Sequence, residues 1–171
     1  KHNVHLDDKN NLLLLLNTID IQFEKSESKN LVFLNEKDVS DKIRKTAVTN
    51  HVSEVSSIKE VRAFLVENQR KIAKNNDCVV EGRDIGTIVF PQAEVKFFLI
   101  ADVQIRAKRR QLELSKMGEE KSLDILINEI EKRDNLDSNR DNSPLRKAND
   151  AIELDTTNLT INAQVDFIVN K

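Results

Sequence analysis

The sequence predicts an α/β fold on the strength of three observations. Short apolar runs at residues 78–80 and 95–100, with a weaker one at 151–154, are of the kind buried on both faces of a parallel sheet. Stretches with helical periodicity precede and separate them, and alternation of this sort builds a parallel sheet covered by helices. A charged stretch, Glu81-Gly82-Arg83-Asp84-Ile85-Gly86-Thr87, follows directly on the first run, where open α/β sheets bind ligands at their carboxyl ends.

Taken in order, residues 19–23 and 31–34 alternate apolar and polar side chains around a polar turn at 24–30, which predicts a β-hairpin. Ser57-Ile58-Lys59-Glu60 reads as a capping box, and Ile58, Val61, Leu65 and Ile72 then recur on one helical face to about residue 74. The helix leads into the run at Cys78, whose thiol is expected to be buried. Asp102 is placed to cap a helix ending near Met117, with Gly118 as its terminator. Ser122 is placed to cap another carrying Leu123, Leu126, Ile127 and Ile130.

Composition narrows the function classes. The 171 residues carry 27 basic and 29 acidic side chains, so no overall field draws the chain to nucleic acid or to a membrane surface. With no Trp or Tyr and only seven Phe, stacking platforms for single strands are scarce, which disfavours an RNA-binding module built on the arginines at 106–110. The single cysteine excludes a disulfide framework and fits a reducing, cytoplasmic setting. The longest apolar stretch, residues 12–16, is too short to span a bilayer, and the first residues lack a signal-peptide layout. Three glycines and two prolines leave little room for linkers, so one domain is expected.

Three constellations carry chemistry. In the first, Arg83 offers a planar fork of donors suited to phosphate, Asp84 accepts from amino or hydroxyl groups, and Gly82 admits close backbone approach. A charged turn with a local salt bridge is the alternative. In the second, Arg106 and Arg110 stand four apart on one helix face with Arg109 beside them, which suits a polyphosphate or, equally, a solvated basic face. In the third, Arg133, Asp137 and Arg140 share a face if their helix continues, so that two arginines frame one carboxylate. Phosphoryl transfer requires cations converging from different elements, because the protein mainly positions groups and neutralises developing charge. An exposed helix end laced with ion pairs would look the same.

The segments at 81–91, 95–99, 106–110 and 133–140, in this order and spacing, closely resemble the bacterial cytidylate kinases. The resemblance extends upstream through residues 38–44 and the hairpin, and downstream to 154–160. It implies a P-loop nucleoside monophosphate kinase fold, three-layered α/β/α with a parallel sheet, plus a small β insert in the monophosphate-binding region. Residues 1–75 would form that region, with the insert at about 1–45, and 76–171 the rest of a single kinase domain with a lid at about 111–140. By the same resemblance, Ser53, Arg62 and Asp84 read cytosine, and their chemistry suits it: a carboxylate accepts from the exocyclic amine that uracil lacks. Arg83 and Arg140 correspond to positions that hold the CMP phosphate, and Arg133 and Asp137 to positions near its sugar and the transferring group. Arg106 and Arg110 correspond to donor-triphosphate arginines that act as the lid closes, and residues 155–160 to the loop beside the donor base.

The activity implied is transfer of the γ-phosphate of ATP to CMP and dCMP, with Mg²⁺ accompanying the nucleotide, by a cytoplasmic monomer. Arg83, Arg133 and Arg140 are then the residues expected at the reacting phosphate. The family's glycine-rich loop finds no counterpart: no stretch matches G-x-x-x-x-G-K-[ST], and three scattered glycines cannot build its nest of amides. The first strand would also be missing from between the runs at Cys78 and Val95, leaving unpaired ladder groups. The expectation is a kinase lacking its N-terminal part, poorly stable and inactive as these residues alone; the alternative is a degenerate relative that binds nucleotide without catalysis.

Overall fold

A computed structural model describes residues 4–25, 30–74 and 77–171. The chain divides into two compact units, Lys1–Cys78 and Val79–Lys171.

In the first unit, Asp8 caps helix α1 (Lys9–Leu16) by accepting from the Asn11 N–H at 3.1 Å. Leu12 and Leu16, one turn apart, are buried with Val61 of helix α4 (Lys59–Ala73), and Ile19, Val55, Ile58, Phe64 and Leu65 pack around them. The expected hairpin forms from strands β1 (Ile21–Lys25) and β2 (Asn30–Leu34), antiparallel with Ile21 opposite Leu34; the connecting residues 26–29 lie outside the described residues. A short strand β3 (Lys37–Asp38) extends the sheet through Asn35 and Glu36, both with positive φ (47° and 64°), the backbone of a two-residue turn that follows strand twist. Asn35 accepts that conformation because its amide is anchored at both ends: Oδ1 accepts from the Asp20 N–H at 2.7 Å and Nδ2 donates to the Thr18 carbonyl at 2.9 Å. A 3₁₀ turn (Lys42–Arg44) and two short helices, α2 (Thr46–Thr49) and α3 (Val52–Ser57), lead to α4.

The capping box expected at Ser57 does not form. Ser57 ends α3, its hydroxyl donates to the Glu54 carbonyl at 2.7 Å, and Ile58 stands at the start of α4 with no side-chain cap. A hydroxyl within reach of a carbonyl in its own preceding turn finds a partner there before it can serve the next helix.

In the second unit, strand β4 (Phe97–Ile100) pairs in parallel with strand β5 (Ile152–Asp155), Phe97 opposite Ile152. The crossover between them holds helices α5 (Val103–Lys116) and α6 (Leu123–Asn139), as parallel pairing demands. Both caps read from the sequence are present: Asp102 accepts from the N–H groups of Gln104 and Ile105, and Ser122 from that of Ile125. Gly118, at φ 76°, ends α5, with the Glu119 N–H on the Leu114 carbonyl and its own on Ser115, the paired bonds of a left-handed terminator. Ala107, Leu114 and Leu126 form the core between the two helices, edged by Leu123, Ile127 and Ile130. Helix α7 (Ile161–Val169) sets Phe167 edge-on to Phe97, ring centroids 6.2 Å apart.

Two expectations for this unit fail. Residues 78–80, which straddle the two units in sequence, are extended without a ladder partner among the described residues, in keeping with the unpaired ladder groups expected there, but they are not buried: Val79 is 99% exposed and the Cys78 thiol is exposed. The strands β4 and β5 are not covered on both faces either, since of their apolar side chains only Leu154 is buried. A strand exists through its neighbours, and each of these has one neighbour or none among the described residues. The architecture is nonetheless the mixed α/β arrangement, helices with a small parallel sheet, that the alternation predicted. Among the described residues no helix is long and apolar enough to cross a membrane.

Candidate functional site

The second unit gathers charge where a surface would disperse it. Directly after the extended run, Asp84 is 2% exposed, and its carbonyl accepts from the N–H groups of Ile88 (2.9 Å) and Val89 (3.2 Å), winding residues Ile85–Val89 into one wide π turn. The glycines at either side are close-packed. A Cβ on Gly82 would lie 2.9 Å from Ile85 Cγ1, and one on Gly86 would lie 3.3 Å from Lys96 Cδ. Lys96 is itself buried, its ammonium donating to the Pro91 carbonyl and pairing with Asp150, each at 2.6 Å. The turn carrying Arg83 and Asp84 is thereby tied to the start of β4.

Arg83 reaches from this turn to α6, its Nε 3.1 Å from Asp137 Oδ2 and its Nη1 3.5 Å from Asp134 Oδ1. On α6, spacings of four and three do set Arg133 and Arg140 around Asp137, at 3.7 Å and 3.8 Å. The helix runs to Asn139, and Arg140 closes it, donating from Nε to the Ser143 carbonyl at 2.6 Å while the Leu145 N–H returns to the Asp137 carbonyl. Asp137 is enclosed, its side chain 3% exposed. From the first turns of α5, Arg106 joins through Asp134, Nη1 to Oδ2, at 2.6 Å.

Four arginines thus meet two aspartates, a surplus of two positive charges in one place. Arg133 registers this: burial first, then the Arg83 cation and, least, that of Arg110 hold its guanidinium below the ordinary arginine value against the pull of Asp137 and Asp134. Several polar atoms here are buried without a hydrogen bond among the described residues, namely Nε of Arg106 and Arg133, Oδ1 of Asp134 and Oδ2 of Asp137. The two arginine Nε groups are buried donors without acceptors, unfavourable by about 1–3 kcal/mol each, and these two suit an anion rich in acceptor oxygens.

The cluster unites Arg83, Arg106, Arg133, Asp137 and Arg140 and adds Asp134, which the sequence reading passed over although it stands three residues before Asp137, on an adjoining row of the same helix. Arg110, also on α5, pairs with Glu113 at 3.0 Å. Arg109 turns the other way and braces α5 on β5, donating to the Thr156 carbonyl at 2.5 Å and hydroxyl at 3.2 Å. Ser53 on α3 and Arg62 on α4 belong to the first unit, where both are half-buried. Among the described residues no three His, Cys, Asp or Glu side chains converge where a cation could sit, and both carboxylates of the cluster face guanidinium groups. The described residues therefore do not form a cradle for Mg²⁺.

A family model described as cytidylate kinase matches residues 1–171. The chain is 47% identical over 169 residues to the cytidylate kinase of Halalkalibacterium halodurans, which covers 99% of this chain and 76% of that protein. It is 46% identical over 175 residues to the cytidylate kinase of Lactobacillus gasseri, with the same coverage, and 49% identical over 166 residues to that of a Geobacillus species, covering 97% of this chain and 74% of the relative.

Proposed function

Because the chain belongs to the cytidylate kinase family of phosphotransferases, we propose that it serves transfer of the γ-phosphoryl group of ATP to CMP and dCMP, giving CDP or dCDP and ADP. The observation that carries this is the convergence of Arg83, Arg106, Arg133 and Arg140 from three elements on one spot, with two positive charges in excess. Phosphate anions, the acceptor's and the donor's together, match that surplus.

The roles follow from the chemistry of each group. Arg83 and Arg140 grip the acceptor phosphate, and Arg133 stands where charge develops on the transferring group; planar forks hold oxygens in a fixed plane, which favours in-line approach. Asp137 orients these arginines and offers an acceptor to the sugar. The loose transition state of phosphoryl transfer spreads charge over three oxygens, and arginines already aligned stabilise it without reorganising. Arg106 and Arg110 face the donor triphosphate, and residues 111–140 close over it as a lid. Asp84, buried and held by its turn, accepts from the cytosine amine, and Ser53 and Arg62 of the first unit carry the donor groups that the ring acceptors of cytosine call for. The donor nucleotide would carry Mg²⁺ on its phosphates, where the ion would neutralise part of their charge.

Calorimetric titration of the chain with CMP, UMP and AMP, run beside a phosphorylation assay with Mg-ATP, tests the reading. CMP should bind most tightly, and Asp84→Ala should erase at least tenfold of its advantage over UMP, because the acceptor for the cytosine amine is then gone. Equal affinity for the three monophosphates would sink the base assignment. Binding without turnover would support the narrower reading, nucleotide binding alone.

A further inference from the structure

One carboxylate in the cluster serves two masters. Asp134 sits on α6, yet its Oδ2 holds Arg106 of α5 at 2.6 Å while its Oδ1 faces Arg83, from the turn before the π segment, at 3.5 Å. Its side chain is about a quarter exposed, and Oδ1 makes no hydrogen bond. The two cations differ in what else holds them. Arg83 has a second carboxylate, Asp137, on its Nε at 3.1 Å. For Arg106, no other carboxylate lies within ion-pair distance among the described residues, and its Nε is buried without a hydrogen bond. Without Asp134, the two guanidinium groups would lose the one anion they share, and Arg106 would have no carboxylate partner among the described residues.

From this geometry we infer that Asp134 is a positioning residue that links the orientation of Arg83 to that of Arg106. It fixes Arg106 through a short charge-assisted bond and holds the Nη1 edge of Arg83 loosely, so that an acceptor phosphate can draw that edge away while Asp137 keeps the guanidinium plane in place. A change at Arg106 is therefore felt at Arg83, although the two lie on separate elements. The inference rests on the reading of Arg83 as an acceptor-phosphate residue and adds to it a partner that neither binds the base nor touches the phosphate.

A double-mutant cycle read out in CMP affinity tests it, using the chain with Asp134→Asn, Arg106→Gln and the two combined, each first checked for a cooperative thermal transition. Each single change should weaken CMP roughly fivefold, and the pair should be no weaker than about the worse single, because both break the same link. Asp134→Glu, which keeps the charge, should recover most of the wild-type affinity and covers the case in which Asp134→Asn does not fold. Unchanged CMP affinity in Arg106→Gln, or a double variant as weak as the product of the singles, overturns the link. Failure of the wild-type chain to bind CMP is a different result: it overturns the substrate reading, and Asp134 is then judged by the arginine Nε–Hε spectrum. Movement of both the Arg83 and Arg106 signals in Asp134→Glu or Asp134→Asn supports positioning; movement of one alone overturns it.

Discussion

The two units handle charge in opposite ways. In the first, ion pairs lie on the surface, as with Lys71 and Glu67 one helical turn apart at 2.7 Å, and the interior is aliphatic, built on Leu12, Leu16 and Val61. In the second, an aliphatic seam between α5 and α6 runs beside a cluster in which Asp137 and Arg140 are nearly enclosed, their side chains 3% and 8% exposed. Surface pairs contribute little to stability, since water screens them and two long side chains must be ordered. Enclosed charges have surrendered hydration and depend on one another. The contrast separates a unit held mainly by burial of apolar surface from one that also carries an electrostatic obligation, and an obligation of that kind is what a phosphate site requires.

The sharpest way to break the contrast is to remove the charge at the centre of the cluster. Asp137→Asn keeps the shape but leaves Arg83, Arg133 and Arg140 without their shared counter-ion, and loss of one partner from a buried network is destabilising by roughly 3 kcal/mol. Urea unfolding should show that loss. The matching surface change, Glu67→Gln, should leave the urea midpoint almost unmoved. Similar small effects at both positions would mean that the cluster is hydrated after all.

Next in size is a cavity in the apolar seam. Leu114, 1% exposed, fills the space between α5 and α6, and Leu114→Ala should be unfavourable by about 2–3 kcal/mol in the same measurement. Because Arg106 and Asp134 ride on those two helices, the change should also weaken CMP binding, which a surface truncation such as Leu112→Ala should not. A stability loss with CMP affinity intact would show that the cluster is held by its own ion pairs rather than by the packing beneath it.

The same contrast explains what could be read from the sequence. Caps at Asp102 and Ser122, the terminator at Gly118 and the apolar face of α6 were legible because each depends on residues within a turn or two. The framing of Asp137 by Arg133 and Arg140 was legible for the same reason. Ser57 misled because two local partners competed for one hydroxyl. Residues 78–80 misled because apolar composition reports a wish to be buried, and a strand needs a neighbour to grant it. Asp134 escaped notice because its partners, Arg83 and Arg106, are distant in sequence and meet only through the fold. Lys96 was hidden likewise, an ordinary lysine in sequence and a buried tie in structure.

That tie offers the finest test of the comparison, since it joins a buried cation to an exposed carboxylate. The hydrogen bond from Lys96 holds the Asp150 carboxyl below its ordinary value of 3.8. A carboxyl depressed in the folded state contributes stability that is fully present above the ordinary value and is lost as pH falls through the folded one. Comparing the chain with Asp150→Asn isolates this contribution. Their difference in urea midpoint should be constant from neutrality down to about pH 5 and shrink as pH falls below about 4, because protonated Asp150 and asparagine are then equally uncharged. Asp150 is exposed, so water screens the pair and the effect should be the smallest of the three. A difference that persists unchanged into acid would assign Asp150 a packing role, and would leave the Pro91 carbonyl as the bond that matters in holding Lys96 beneath the Arg83 turn.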